Sequence, residues 1–561
     1  MPSPFPFDRF LRYDELRAAL HTFAADNPGL VQLEQYGTSH QDRPLWLVTV
    51  TDDSTGAHDT KPAHWVDANI HSVEVTGGVA ALYLLHHLVS RFQEGDATVV
   101  EALRTRTFYV APRVNPDGVE AALAGNFRRS SMRPWPWRDG HQWPGLLRHD
   151  IDRDGKVLSM RIADPNGGWV PHPEDPRVMM PVPADGVVEP GTTRYRMLDE
   201  GTLADYDGFA IPTPHPTEGL DLNRNFPAGW GTGVTGSGDH PMSEPEIDAL
   251  VRAIVARQNI CGYNAFHTSG GVLLRPSSTS PDSSMPPADL WTWKELSTVG
   301  TAITGYPAHS VYEDFTWDKS DTMSGAADDW MYEHLGVYSW TTEFWDVVHA
   351  ATGHHASTHI WYVGPTTEEE LAIAQWSDLH GEYYHPWRPF DHPQLGPVEI
   401  GGADWFHLST NAPGALLEAE VAPHAQFAVH QALASPRLDI VHTRVDALGD
   451  DNWRVAAGIA NTGWLPTEVT VRAAKNNLVR PLVASLELPE GATLLPGIVN
   501  RQRLGQLQGR RSFRLSGGAR NDGTPDRVLA QWTIRAPAGT EITVHAQHDR
   551  AGQATTTVTL E

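Results

Sequence analysis

The sequence predicts an α/β protein, with a mixed, mainly parallel sheet flanked by helices and a C-terminal antiparallel β-sandwich behind it. Three observations carry this expectation. Apolar runs short enough to be buried strands alternate with longer segments of helical spacing, the rhythm of crossover-connected strands. From about Arg437 the chain turns to short alternating segments separated by turn residues, as antiparallel sandwiches do. Between Ser130 and Gly219 a stretch rich in Pro, Asp, Trp and Gly breaks the first rhythm and reads as a long insertion over the edge of the fold. The expected organisation is therefore a unit over residues 1–434 with an insertion at 130–219, then an immunoglobulin-like accessory sandwich over 435–561.

Taken in order, "YDELRAALHTFAAD" reads as a first helix, stopped by Asn27-Pro28-Gly29. "PLWLVTVTD" and "AHWVDANI" read as strands, the second fully buried, and "GGVAALYLLHHLVSRF" as the helix after it. "TRTFYVAPRVNPDG" is a strand that ends in a turn. "IDALVRAIVARQNI" is a helix that feeds the strand "GYNAFHT", and "GAADDWMYEHLG" a helix that feeds "VYSWTTEFW". "SEPE", Ser243 to Glu246, has the form of a capping box. "PGALLEAEVAPHAQFAVHQAL" reads as a closing helix. Beyond it "LDIVHTRVDAL", "NWRVAAGIANTG", "TEVTVRAA", "VLAQWTIRAPAG" and "EITVHAQHD" read as sandwich strands.

The chain has 561 residues, with 42 basic against 69 acidic side chains, a formal net charge of −27. Such a surface repels nucleic acid and anionic membranes, so neither is expected as a partner. One cysteine, Cys261, excludes an intrachain disulfide and fits a reducing compartment, or a bacterial protein that does not rely on disulfides. The N-terminal segment lacks a basic stretch followed by an apolar one, and no window has the uninterrupted apolar run of a membrane span. A cytoplasmic location is the resulting expectation.

The chemistry concentrates where strands meet loops, the usual place for ligand groups in such sheets. His71 and Glu74 stand three positions apart at the mouth of a strand-to-helix turn. A catalytic zinc takes three protein ligands and keeps one position open, and His267, at another strand end, offers the third. A water on such an ion needs a general base, and Glu343 lies on a late strand among aromatic residues that would partly desolvate it. Asn223 and Arg224 form a polar pair in a turn, and a guanidinium fork suits a carboxylate. Asp221 is placed to orient a metal-bound histidine. Arg128, with Arg129 as its rival, offers a cation for a developing oxyanion. Asp150, Asp152 and Asp154 before Gly155 open like a calcium loop, but the twelfth position is Arg161 rather than a bidentate Glu. The alternative there is a tight Asp-rich hairpin using side-chain-to-backbone bonds.

Read together, "HSVE", "RVNPDG", "NFRR", "DLNRNFP", "SEPE", "FHTSGG" and "TTEFW" occur in an order that resembles the zinc carboxypeptidases of the carboxypeptidase A type, the funnelins. The resemblance implies one zinc ion on His71, Glu74 and His267. It implies Arg128 as oxyanion electrophile, Asn223 and Arg224 as holders of a substrate's C-terminal carboxylate, and Glu343 as general base and acid. An ungapped count from Glu343 puts Asp328 at the floor of the side-chain pocket, with Asp329 beside it, and an acid there would favour Lys or Arg. The same count puts Asp321 where the family's mobile tyrosine stands, with Tyr312 as a substitute only if the loop is longer. Val73 replaces a basic residue often found within the His-x-x-Glu motif, and no inhibitory pro-segment is expected before the first helix.

The activity implied is hydrolysis of the C-terminal bond of peptides that have a free C-terminus. Two alternatives stand beside it: a zinc amidohydrolase for an unusual amide, such as a cell-wall peptide or an amino-acid conjugate, and a metal- or peptide-binding protein without turnover.

Overall fold

The structure, a computed structural model, describes residues 4–126, 131–133, 144–212, 220–320, 322–511 and 523–561. Among these, eight strands build the main sheet. They are β1 (Val31–Thr38), β2 (Pro44–Val50), β3 (Ala63–Ala68), β4 (Thr107–Ala111), β5 (Ile260–Thr268), β6 (Val272–Arg275), β7 (Ala308–Ser310) and β8 (Tyr338–Phe344). Their spatial order is β1-β2-β4-β3-β5-β8-β6-β7. The central pairs β4–β3, β3–β5 and β5–β8 are parallel, as is β6–β7, while β1–β2, β2–β4 and β8–β6 are antiparallel. The expected mixed, mainly parallel sheet is what forms.

Helices cover both faces, as a sheet buried on two sides requires. Val66, Ala68, Phe266 and Phe344 pack into one core with α1 (Tyr13–Asp26), α2 (Val75–Glu94) and α6 (Gly414–Leu433). Trp65, Tyr263 and Ala265 point the other way, into a second core with α3 (Pro245–Val255) and α5 (Ala327–Leu335). The period of two along β5 therefore sends Phe266 into one core and leaves its neighbour His267 on the opposite face. Between α3 and α5 in the chain, α4 (Pro287–Thr304) packs Trp293 and Leu296 against Tyr332, Tyr338 and Trp340.

The insertion is more than a cover. Its strands Ser159–Ala163, Trp169–Pro171, Met179–Pro181 and Tyr195–Asp199 join a hairpin from far along the chain, Tyr384–His392 with Gly396–Ala403, in one antiparallel sheet. Arg161 locks the junction: its guanidinium lies between the rings of Tyr195 and Trp387, 4.3 and 4.6 Å from their centroids, and pairs with Glu399 at 2.8 Å. No local pattern in the sequence announced that partner.

After α6 come two four-stranded antiparallel sheets over residues 438–559. Trp453, Val455, Trp532 and Val544 are among the side chains of their shared core. One expectation fails here. "TEVTVRAA" does not form a strand, because Val471–Lys475 is a short helix. The Thr470 hydroxyl accepts the Ala473 N–H at 3.0 Å, and Asp289 of α4 accepts those of Val471 and Arg472 at 2.7 and 3.1 Å. Those acceptors satisfy the first N–H groups of a helix, a tertiary effect that overrides β-branched composition. The capping box at Ser243 also does not form. Helix α3 starts at Pro245 without a side-chain cap, and Glu246 instead accepts the His40 N–H at 2.9 Å.

Asp289 also accepts the hydroxyls of Tyr332 and Tyr338, at 3.0 and 3.1 Å. Arg550, buried, donates to the carbonyls of Gly336 and Glu468, both at 3.0 Å, and to that of Leu335. Through these bonds the C-terminal sheets hold the α5–β8 corner. No described helix is long and apolar enough to cross a membrane.

Replacing Asp289 by Ala strands buried donors in three elements, so Asp289→Ala should lower unfolding free energy by roughly 3–5 kcal/mol. The shift of the urea midpoint measures this, and a change within error would show that the contact is dispensable.

Candidate metal centre

His71 and Glu74 stand in the loop from β3 to α2, and that loop is rigid. Asn69 takes a left-handed φ of 56° and its side-chain amide donates to the Glu74 carbonyl at 2.6 Å. The Gly77-Gly78 step lets α2 approach the sheet. A Cβ on Gly77 would lie 2.5 Å from the Phe266 carbonyl oxygen, and one on Gly78 2.3 Å from Asn69 Oδ1. Only glycines allow this approach of α2 to the strand that carries His267.

His267 ends β5 and is buried, as are His71 and Glu74. Their ligand atoms converge. His71 Nδ1 lies 2.7 Å from Glu74 Oε1, His267 Nδ1 lies 2.9 Å from Glu74 Oε2, and the two Nδ1 atoms are 3.3 Å apart. His71 Nε2 lies 3.1 Å from Asp221 Oδ1. Assigning the proton to Nε2 as donor to that carboxylate leaves Nδ1 as a lone pair aimed at the cluster. In the metal-free cluster burial pushes the Glu74 carboxyl up, yet the two imidazoles, when protonated, prevail and hold it well below the usual carboxylate range.

The cluster opens on a cavity of about 2280 Å³. Glu343 lines it from β8, directly across the parallel register from His267. Asn223 and Arg224 line it from a 3-10 turn, Leu222–Arg224, which Asp221 caps by accepting the Asn223 N–H at 2.9 Å. Asn223 Oδ1 accepts the Ala327 N–H at 2.9 Å, which fixes the amide's orientation. Arg224 donates to the Asn223 carbonyl at 2.7 Å and has no carboxylate at ion-pair distance among the described residues. Of the two neighbouring acids, Asp328 lines the cavity, whereas Asp329 accepts the Ser278 N–H at 3.0 Å. Arg128, Arg129 and Asp321 lie outside the described residues. Tyr312 is not in the cavity wall: the Lys319 ammonium covers its ring at 4.9 Å.

A family model described as zinc carboxypeptidase matches residues 16–153 and 187–359, more than half of the chain. The chain belongs to the zinc carboxypeptidase family. A second model, described only as a domain of unknown function, matches residues 437–559. Carboxypeptidase B of Astacus astacus is 30% identical over 160 residues, 28% of this chain and 44% of that protein. Carboxypeptidase A2 of Rattus norvegicus is 32% identical over 131 residues, 23% and 28% of the two chains. The chain thus spans less than half the length of these relatives. The carboxypeptidase A structure from Helicoverpa armigera is 17% identical, covers 67% of this chain and 76% of that one, and has a TM-score of 0.40.

Zinc carboxypeptidases hold zinc, and the donor set fits it. Tetrahedral ligands at ~2.0–2.1 Å from one ion stand about 3.3 Å from each other; the two Nδ1 atoms have that spacing, and the Glu74 oxygens, at 2.7 and 2.9 Å from them, would move apart slightly to admit the ion. Two imidazole nitrogens and a carboxylate facing one point are borderline-soft and hard donors of the kind zinc takes. His71, Glu74 and His267 would hold the ion, with Asp221 orienting His71.

The acids Asp150, Asp152 and Asp154 also gather, with oxygens within 4.8 Å of one another. They are already engaged. Asp150 accepts the N–H groups of Arg153 and Gly155, Asp152 that of Asp154, and Asp154 that of Lys156. Arg388 sits on Asp152 and Asp154 at 3.2 and 2.6 Å.

The sequence reading missed one group of this cavity: the aromatic wall made by Trp317, Trp361 and Tyr362. Aromatic residues in "FTWD" and in the adjacent Trp361-Tyr362 pair are its local signs in the sequence.

Asp221→Asn should weaken zinc binding by roughly 10- to 100-fold through loss of the His71 orientation. Competition with a chromogenic chelator measures it, and unchanged affinity would remove Asp221 from the centre.

Proposed function

We propose that the chain is a zinc-dependent carboxypeptidase that hydrolyses the last peptide bond of peptides with a free C-terminus. The observation that carries this is the register of Glu343 against His267, which sets an acid beside the ligand cluster in a cavity whose wall also bears Asn223 and Arg224. Zinc, when bound, polarises a carbonyl and lowers the pKa of a water to about 7. The chain's own groups do the rest. The Arg224 fork grips the terminal carboxylate, with the Asn223 amide as second donor. This holds the last peptide carbonyl beside the metal centre and confines cleavage to the chain end. Glu343 takes the proton of the attacking water and hands it to the leaving amine. Arg128 is the family-implied cation for the oxyanion.

Asp328 gives the pocket its charge, so C-terminal Lys or Arg is the preferred residue. Burial pushes its carboxyl up, offset in part by the bond from the Asp329 N–H. The acid is therefore neutral to a higher pH than an ordinary aspartate, and it attracts a cation only once ionised.

In this proposal residues 1–434 are the catalytic unit, with the insertion at 130–219, and 435–561 an immunoglobulin-like accessory unit. The single, buried Cys261 supports a cytoplasmic location. The amidohydrolase alternative keeps every role and changes the substrate, and the cavity's volume leaves room for a branched amide. Calcium at Asp150, Asp152 and Asp154 stays outside the proposal, because Arg388 already supplies the positive charge there.

A mixed peptide library incubated with the zinc-loaded protein and read by mass spectrometry should show loss of single C-terminal residues, Lys and Arg first. Internal cleavage, or none, would refute the reading. Glu343→Gln should cut turnover by about 10²–10⁴-fold with zinc content unchanged. Asp328→Leu should shift preference toward apolar ends. In the wild type, the Lys-over-Leu ratio of kcat/KM should rise with pH as Asp328 ionises and fade below that range. A ratio flat with pH would argue that Asp328 does not meet the substrate side chain.

A further inference from the structure

The cavity is far larger than one amino acid needs. Small-molecule sites fill roughly 300–1,000 Å³, and this one encloses about 2280 Å³. Its mouth is also unlike the rest of the surface. Among the described residues the exposed large aromatics are Trp169, Phe209, Trp317 and Tyr362, and all but Phe209 line this cavity. Trp317 is 56% exposed and Tyr362 46%. Aromatic side chains left in water and gathered at one opening mark a binding surface rather than scattered exposure.

The patch is continuous with the reacting centre. Trp317 and Tyr362 lie 6.4 Å apart at 30°, and Phe315 touches both Tyr362 and Trp361, at 6.0 and 4.7 Å. Phe315 and Trp361 pack against the cluster of Val272, Leu274 and Val311, and the register partner of Val272 across β6–β8 is Glu343. A peptide whose end lies at Arg224 and whose last bond lies at Glu343 has its upstream residues free to leave over this patch.

Charge decides what those residues are. Among the described residues of the wall, eight are carboxylic acids, two are arginines and none is lysine. Zinc would offset two of these charges and leave the excess negative. Asp318, next to Trp317, is held below the usual carboxylate range by the Ser320 hydroxyl and backbone, so it stays ionised. The neighbouring cation, Lys319, is turned back onto the carbonyls of Tyr312, Glu313 and Thr316. An aromatic face beside unneutralised acids is the environment that holds a guanidinium or ammonium by stacking and by field. A neutral glycan would gain the stacking only, and an acidic peptide would be repelled.

We propose that the mouth formed by Trp317 and Tyr362, with Asp318, is a subsite for Lys or Arg residues upstream of the scissile bond, so that the substrates are polycationic oligopeptides. This rests on the carboxypeptidase reading and extends it from the last residue to the residues before it.

The test compares oligopeptides that share one C-terminal Lys and differ upstream in Lys, Gln or Glu, read as kcat/KM by mass spectrometry at low and high salt. An N-acyl dipeptide too short to reach the mouth is the control. We expect at least a tenfold advantage of upstream Lys over upstream Glu at low salt, shrinking as salt rises. Trp317→Ala and Tyr362→Ala should each reduce that ratio while leaving the dipeptide rate unchanged. Equal rates for the three peptides, or a ratio that both variants preserve, would overturn the subsite. Should no peptide be cleaved, the activity reading fails separately. Fluorescence anisotropy of the same labelled peptides on the full chain in EDTA then decides the subsite alone: tighter binding of the Lys peptide, weakened in both variants, supports it, and equal binding rejects it.

Discussion

The centre depends on β5 running parallel between β3 and β8. Parallel neighbours deliver their C-terminal ends to one edge of a sheet. Here that edge receives the loop bearing His71 and Glu74, the end of β5 with His267, and the end of β8 with Glu343. Had β8 run antiparallel to β5, Glu343 would have been carried away from that edge. The period of two then selects which of the adjacent side chains face the cavity and which enter the core, so that Phe266 and Phe344 anchor the strands that present His267 and Glu343.

That edge is expensive to build, because it gathers buried polar groups of like kind. Two imidazoles and a carboxylate face one point, and without a cation between them the arrangement is relieved by protons, by the Asp221 contact and by the Thr268 N–H, which donates to Glu74 at 3.3 Å. The surrounding fold holds it rigid by close backbone packing at Gly77 and Gly78 and by pinning the chain just past Glu343. There Trp345 takes a left-handed φ of 68°. Its N–H reaches the Tyr306 hydroxyl and Glu420, and its carbonyl accepts the Gly270 N–H. Preorganisation of this kind is what allows ligands from two chain segments, with Glu343 from a third, to act as one site.

The C-terminal sheets belong to the same mechanical unit. Asp289 and Arg550 tie the 468–472 segment to the corner between α5 and β8, the two elements that carry Asp328 and Glu343. The insertion, through the sheet it shares with the 384–403 hairpin, supplies the opposite wall of the cavity with residues such as Trp169, Met179 and Met197. The insertion therefore lines the cavity and the C-terminal sheets brace elements that bear on it, and neither supplies a residue of the ligand cluster.

The alternation of apolar strands with amphipathic helices was legible in the chain because burial on both faces of a sheet leaves long apolar runs, as in "AHWVDANI" and "GYNAFHT". The spacing of His71 and Glu74, and the small residues around them, were legible because the turn that joins a strand to its helix is local. Tertiary structure alone decided the rest. It put Asp221 against His71 across 150 residues, turned Asp328 rather than Asp329 to the cavity, and made 471–475 helical by offering Asp289 as its cap. It also brought Trp169, Trp317 and Tyr362 to one mouth from three unrelated segments. The reason is physical: periodicity and turn chemistry act within a few residues, whereas which side chain meets which, and which acid stays buried, follows only once the packed cores have chosen their partners.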